Sequence, residues 1–252
     1  MKRSVVLSIF LIGILFFTQA YSQTNGWSFH FGKTMPVGSF ARSSNAFLQN
    51  NIGEGAAKNG FGIGVKGQCS LRLPVLRRLK LIASVDIMYN GLNDGAKTMI
   101  ETHNNPSDYF TASAPSYCNV PIMAGVNLYR SLFGAIKVYG EVGMGVNFRM
   151  VSDMDRVFTV ESGEGGKEYF SGKINFDNTS TFAFQLGVGL CFFNRLSLAF
   201  NYYNLGTAEL KGSLESIESM NLLLESIGEE YREFTNGKVG ASMFVMRLGW
   251  HF

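Results

Sequence analysis

Residues 243–252 read Met-Phe-Val-Met-Arg-Leu-Gly-Trp-His-Phe, and they alternate. Phe244, Met246, Leu248, Trp250 and Phe252 form one row; Met243, Val245, Arg247, Gly249 and His251 form the other. Side chains two apart share a face of a strand, whereas apolar positions of a helix recur every three or four residues. The stretch is therefore a strand with one wholly apolar face. The same period recurs upstream. Phe182, Phe184, Leu186, Val188, Leu190 and Phe192 alternate with Ala183, Gln185, Gly187, Gly189 and Cys191. Ile136, Val138, Val142, Met144, Val146 and Phe148 alternate with Lys137, Tyr139, Glu141, Gly143, Gly145 and Asn147. Leu79, Leu81, Ala83, Val85, Ile87 and Tyr89 alternate with Lys80, Ser84, Asp86 and Asn90. Further strands fall at 61–73, 117–129 and 196–204, and one begins at Trp27, which makes eight.

The connections alternate as well. Those near 74–78, 130–135 and 193–195 are short; those over 39–59, 91–115, 150–180 and 206–238 are long. In an up-and-down barrel all the long ones then lie at one end, with both chain ends at the other. This is the layout of outer-membrane barrels, whose turns are short on the periplasmic side. The expectation is an all-β fold: an eight-stranded antiparallel up-and-down transmembrane β-barrel.

A soluble barrel of this size would turn its apolar face inward. Two features point the other way. Gly62, Gly64, Gly125, Gly143, Gly145, Gly187 and Gly189 fall on the polar face, and small residues suit a narrow interior. Strands of about 12 residues, rising ~3.3 Å each and tilted about 40°, span roughly the 30 Å of bilayer hydrocarbon. Two positions depart from the pattern. Lys33 falls on the lipid side, which calls for a bulge near Gly32 or a meeting with the headgroups. Pro121 lies inside the fourth strand, where a local bulge is the expected accommodation.

Composition agrees. Charged residues make up 16% of the 252 residues, against roughly 25% in soluble domains, and aromatics reach 13%. Residues 1–22 read as a secretory signal: Lys2 and Arg3, an apolar run over Val5–Phe17, and Ala20-Tyr21-Ser22 before a cut at Gln23. The domain is then 23–252. Formal charge is +3, and removing Lys2 and Arg3 leaves +1, no footprint for nucleic acid. Cys69, Cys118 and Cys191 fall on separate strands and fit no disulfide framework or zinc site.

The polar rows converge on the lumen: Lys66, Arg72, Lys80, Asp86, Lys137, Glu141 and Arg247, with His30, Gln68, Gln185 and Asn201. Charges in a poorly hydrated interior need partners. A symmetric 74–78 turn places Lys66 opposite Asp86, and that pair is expected, with Glu141 sharing Arg247 or Lys66. The set reads as an ion-pair plug centred on Lys66, Asp86, Glu141 and Arg247, in preference to an ion path. Aromatics such as Tyr89, Tyr117, Trp250 and Phe252 fall at the two interfaces as an anchoring girdle. In the last long connection, 209–238, Leu210, Leu214, Ile217, Met220, Leu224, Ile227 and Tyr231 recur at helical spacing, with Ser213 as a cap. A short amphipathic helix is expected there, as a cover for the barrel mouth or a docking surface for a protein partner. No catalytic, metal or cofactor set emerges: His30, His103 and His251 are scattered, and the Gly-x-Gly pairs lie within strands.

Trp27-Ser28-Phe29-His30-Phe31-Gly32, Pro36-Val37-Gly38-Ser39-Phe40, Tyr117-Cys118-Asn119-Val120-Pro121-Ile122 and Tyr139-Gly140-Glu141-Val142-Gly143 carry a resemblance. With them the chain resembles the outer-membrane β-barrel ("porin family") domain proteins of Bacteroidetes type, built like small OmpX- and OmpA-type barrels. The resemblance implies a Gram-negative outer-membrane location with periplasmic termini, and lipids as neighbours. It also implies that Phe244, Met246, Leu248, Trp250 and Phe252 are the signal read by the barrel insertion machinery. The expected role is a structural or interaction scaffold without enzymatic activity. A narrow channel, an accessory barrel of a secretion system and a lipid A-modifying enzyme are the alternatives.

Overall fold

The computed structural model describes residues 25–42, 54–70, 79–103, 113–161, 166–216 and 233–252. The leader over 1–22 and Arg72 lie outside them. The strands are β1 Asn25–Val37, β2 Gly60–Ser70, β3 Leu79–Gly91, β4 Ser116–Phe133, β5 Ile136–Val151, β6 Met154–Glu161, β7 Lys167–Phe176, β8 Thr179–Phe192, β9 Leu196–Ser216 and β10 Glu233–His251. One helix, α1, covers Asp94–His103, and a 3-10 turn covers Gly38–Phe40.

Eight strands close a ring, β1-β2-β3-β4-β5-β8-β9-β10, with β10 pairing back onto β1. Closure leaves the ring itself without an open edge, which a lone sheet could not tolerate in hydrocarbon. The stagger follows from the register. Starting at Asn25, the paired residues run Cys69, Leu81, Val126, Val142, Leu186, Tyr202, Phe244 and return to β1 at Met35, ten residues on. For eight strands, a stagger of ten tilts the strands by about 40°.

The two additional strands are continuations. Arg149 pairs with Thr179 on β5 and β8, and Met154 with Ile174 on β6 and β7, in one unbroken register. Likewise Phe184 pairs with Asn204, and Phe176 with Gly212, along the same β9. The third long connection is thus largely a hairpin that prolongs the barrel wall, broken at 152–153 and 177–178. Strands of this length were hidden because their outer parts lose the all-apolar lipid row.

The fourth long connection also departs from expectation. Leu210, Ser213 and Leu214 belong to β9, not to a helix. Ala208, Leu210 and Gly212 are buried while Lys211 and Ser213 are exposed, a period of two. Pairing to β10 on one side and β7 on the other supplies ladder bonds that override the helical spacing. Positions 217–231 of the expected helix lie outside the described residues. A helix does form in the second long connection. Asn93 starts it, its side-chain oxygen accepting the N–H of Ala96 at 2.9 Å, and Leu92, Ala96 and Ile100 are buried.

Neither expected bulge is present. β1 holds one register against β10 from Ser28 to Val37, so Lys33 points outward, paired with Phe61, whose neighbour on β3 is Tyr89. It stands at the level of that aromatic pair. At Pro121 the β3–β4 ladder skips two positions and resumes in the same register, Val85 with Ile122 and Met88 with Asn119. A local loss of ladder bonds absorbs the missing amide without a change of stagger. A bulge does occur where β9 meets β10, at Leu205-Gly206 opposite Ala241. Gly206 takes φ +77°, a conformation that glycine reaches without a Cβ clash.

Candidate functional site: the lumen

The inward rows of the strands meet in a layer of paired charges. Lys66 on β2 sends its Nζ to Glu141 Oε2 on β5, at 2.5 Å. Asn201 on β9 donates its amide to the other oxygen of Glu141. Asp86 on β3 meets His30 Nε2 of β1 at 2.5 Å and accepts the Tyr203 hydroxyl at 3.3 Å. Arg247 on β10 lies 3.3 Å from the same His30 nitrogen and 3.9 Å from Asp86, with its guanidinium 4.9 Å above the Tyr203 ring centre. Lys66, Asp86, Glu141 and Arg247 are each 7% exposed or less. Gly187 makes room for this layer: a Cβ there would meet Glu141 Cγ at 2.9 Å.

The pairing differs from expectation in one respect. Lys66 faces Ser84, and Asp86 faces Gly64, a shift of two residues from a symmetric turn. Lys66 therefore pairs with Glu141, and Asp86 takes His30 and Arg247. Because a shift of two keeps every side chain on its face, the lumen membership is unaffected.

Toward the long connections lies a second polar layer that the sequence reading passed over. Arg149 on β5 is fully buried. It donates to Val239 O at 2.7 Å, Gly206 O at 3.1 Å and Asn119 Oδ1 at 3.3 Å. The bulge at Gly206 thus turns backbone carbonyls toward the guanidinium. Asn147 donates to Asn119 at 3.1 Å, and Asn90 to Thr34 at 2.8 Å. Tyr117 is not an interface aromatic. It lies in the inward row with Asn119 and is fully buried, its hydroxyl donating to Gly55 O at 2.8 Å and its ring edge-on to Phe40. Parity along β4 and β5 was the available signal for both Tyr117 and Arg149. Tyr89, Trp250 and Phe252 face outward, Phe252 stacking on Trp27 at 4.0 Å. Met246 and Leu248 share that outward face, with Phe244 partly exposed beside them.

The outer surface completes the contrast. Met144 and Val188, in mid-strand, are each 61% exposed, and Phe182 65%, around an interior of buried ion pairs. A barrel surrounded by water would reverse these two sets. The chain has the fold of a small outer-membrane β-barrel. No protein-family model matches the chain, and no curated protein does. Among solved structures it is similar to Neisserial surface protein A, at 9% identity and a TM-score of 0.45 over 91% of this chain and 96% of that one. It is also similar to the outer membrane protein OprG from Pseudomonas aeruginosa, at 9% identity and a TM-score of 0.43 over 91% and 96%. A major outer membrane protein from Thermus thermophilus matches at 12% identity and a TM-score of 0.42, over 91% and 100%.

Within this barrel, the short-turn end holds Lys80, Lys137 and Gln68 around a polar cavity, and Gln185 is buried on β8. The described chain ends meet there, Phe252 N–H donating to Trp27 O at 2.9 Å.

Proposed function

We propose that the protein is an outer-membrane scaffold: a closed cylinder seated in lipid, its lumen plugged, presenting its long connections to the outside. The middle charge layer carries this reading. Lys66 with Glu141, and Asp86 with His30 and Arg247, span the interior from five strands. An ion in transit would have to part these contacts in a space with little water to replace them, which is costly for buried pairs. Arg149 and its carbonyl partners add a second barrier above.

The prolonged walls of β5–β6, β7–β8, β9 and β10 project on the long-connection side, and supply a surface for a protein partner through 209–238. The short-turn end faces the periplasm in this reading. The outward row Phe244, Met246, Leu248, Trp250 and Phe252 serves as the signal for the insertion machinery. Planar-bilayer recording tests the plug. The purified protein should give no steady open current, and a stable ohmic conductance would overturn the scaffold in favour of a channel.

A further inference from the structure

We propose that the short-turn mouth of the barrel binds a phosphate-bearing anion between Lys80 and Lys137. A cavity of about 440 Å³ opens there, walled by Gln68, Lys80, Tyr129, Arg130, Lys137 and His251. No acid lines it. The middle layer supplies the contrast: Lys66 and Arg247 each have a carboxylate within 4 Å. Among the described residues, neither Lys80 nor Lys137 forms an ion pair. Lys80 lies 4.9 Å from the Tyr129 ring centre, an attraction weaker than a counter-charge. The Tyr129 hydroxyl is spent on Gln68 Oε1 at 3.0 Å, which stiffens the wall. His251 Nε2 is buried at the same cavity without a hydrogen-bond partner. Two ammonium groups around one hollow form a donor set that lacks its acceptor. A phosphate oxyanion supplies several acceptor atoms and the missing charge at once.

The charge layout of the described residues reinforces this. Among the described residues, the stretches at this end, 67–70, 79–83, 128–138, 189–198 and 249–252, hold four Lys and Arg and no Asp or Glu. Of the 13 acids among the described residues, Asp86 and Glu141 stand in the lumen, and the other 11 lie on the long-connection side. Such a one-signed end attracts anionic headgroups as well as free phosphate. The shared chemistry is the phosphate group, and its source is either the neighbouring lipid leaflet or solution.

Two arms of one experiment separate the sources. In zwitterionic detergent, the full barrel is titrated with inorganic phosphate and followed by calorimetry. In phosphatidylcholine vesicles carrying phosphatidylglycerol, enrichment of the anionic lipid at the protein is read with spin-labelled lipid. Saturable binding in the first arm assigns a soluble oxyanion; enrichment in the second alone assigns a headgroup. In whichever arm responds, Lys80→Gln with Lys137→Gln should weaken binding about tenfold or more, the loss of charge-assisted hydrogen bonds. Arg195→Gln, outside the cavity wall, should leave it within about twofold, as a screened surface charge does. Folding is checked by heat-modifiable gel migration, and Lys137→Gln alone serves if the double variant does not fold. No saturation in either arm, unchanged binding in the folded Lys137 variants, or an equal loss in Arg195→Gln would overturn the proposal.

Discussion

Lys66 and Glu141 stand 75 residues apart in the chain and 2.5 Å apart in the lumen. Removing one member strands the other in a dry interior. Glu141→Gln should therefore destabilise the barrel by about 3–5 kcal/mol, whereas Lys66→Met with Glu141→Leu should recover much of that loss. Urea unfolding in detergent micelles, followed by Trp fluorescence, measures both. Equal losses in the single and double variants would show that the pair's worth lies in packing rather than in charge compensation. That Lys66 and Glu141 line the lumen was legible from parity alone. That they pair was one of two options, because a shift of two residues in the β2–β3 register changes partners without changing faces. Tyr117 was misplaced for a different reason: an aromatic near a strand end suits an interface, but its row with Asn119 points inward.

Among the elements, the hairpin built from β6 and β7 carries no register shift of its own and, among the described strands, joins the ring's ladder through its continuation and through β9. Its strands hold no member of the middle charge layer. Replacing 152–177 by a short Gly-Ser turn should leave the cylinder closed, with strand content lowered and heat-modifiable migration retained. A variant that no longer inserts into vesicles would show that the projecting wall takes part in assembly. The lipid-facing rows made the central strands readable, because the outward positions of their middle stretches carry no charge, Lys33 standing at the level of Phe61 and Tyr89. Beyond the hydrocarbon that constraint ends. The outer parts of β9 and β10 then carry Glu, Lys and Ser among their apolar residues. Their spacing fits more than one periodicity, and ladder partners decide.

The whole molecule is a cylinder turned inside out relative to a soluble barrel. Its outward mid-strand row must meet hydrocarbon, so Met144→Arg should cost about 2–4 kcal/mol in the membrane. Urea titration of refolding into phosphatidylcholine vesicles measures that cost. A negligible effect would place Met144 away from the bilayer midplane.

The amino-acid sequence by itself determined the class of fold, the face that meets lipid, the end that carries the long connections and the membership of the central lumen layer. Each rests on local rules: a period of two, the cost of a charge in hydrocarbon, and the length of chain between strands. Only the tertiary structure decided which lumen charges pair, how far the walls continue past the bilayer, and how Arg149 finds its carbonyl partners. These depend on stagger, on a bulge at Gly206 and on strands that pair across the closing seam. Ring closure joins residues far apart in the chain, and no local pattern encodes the offset at which the two edges meet.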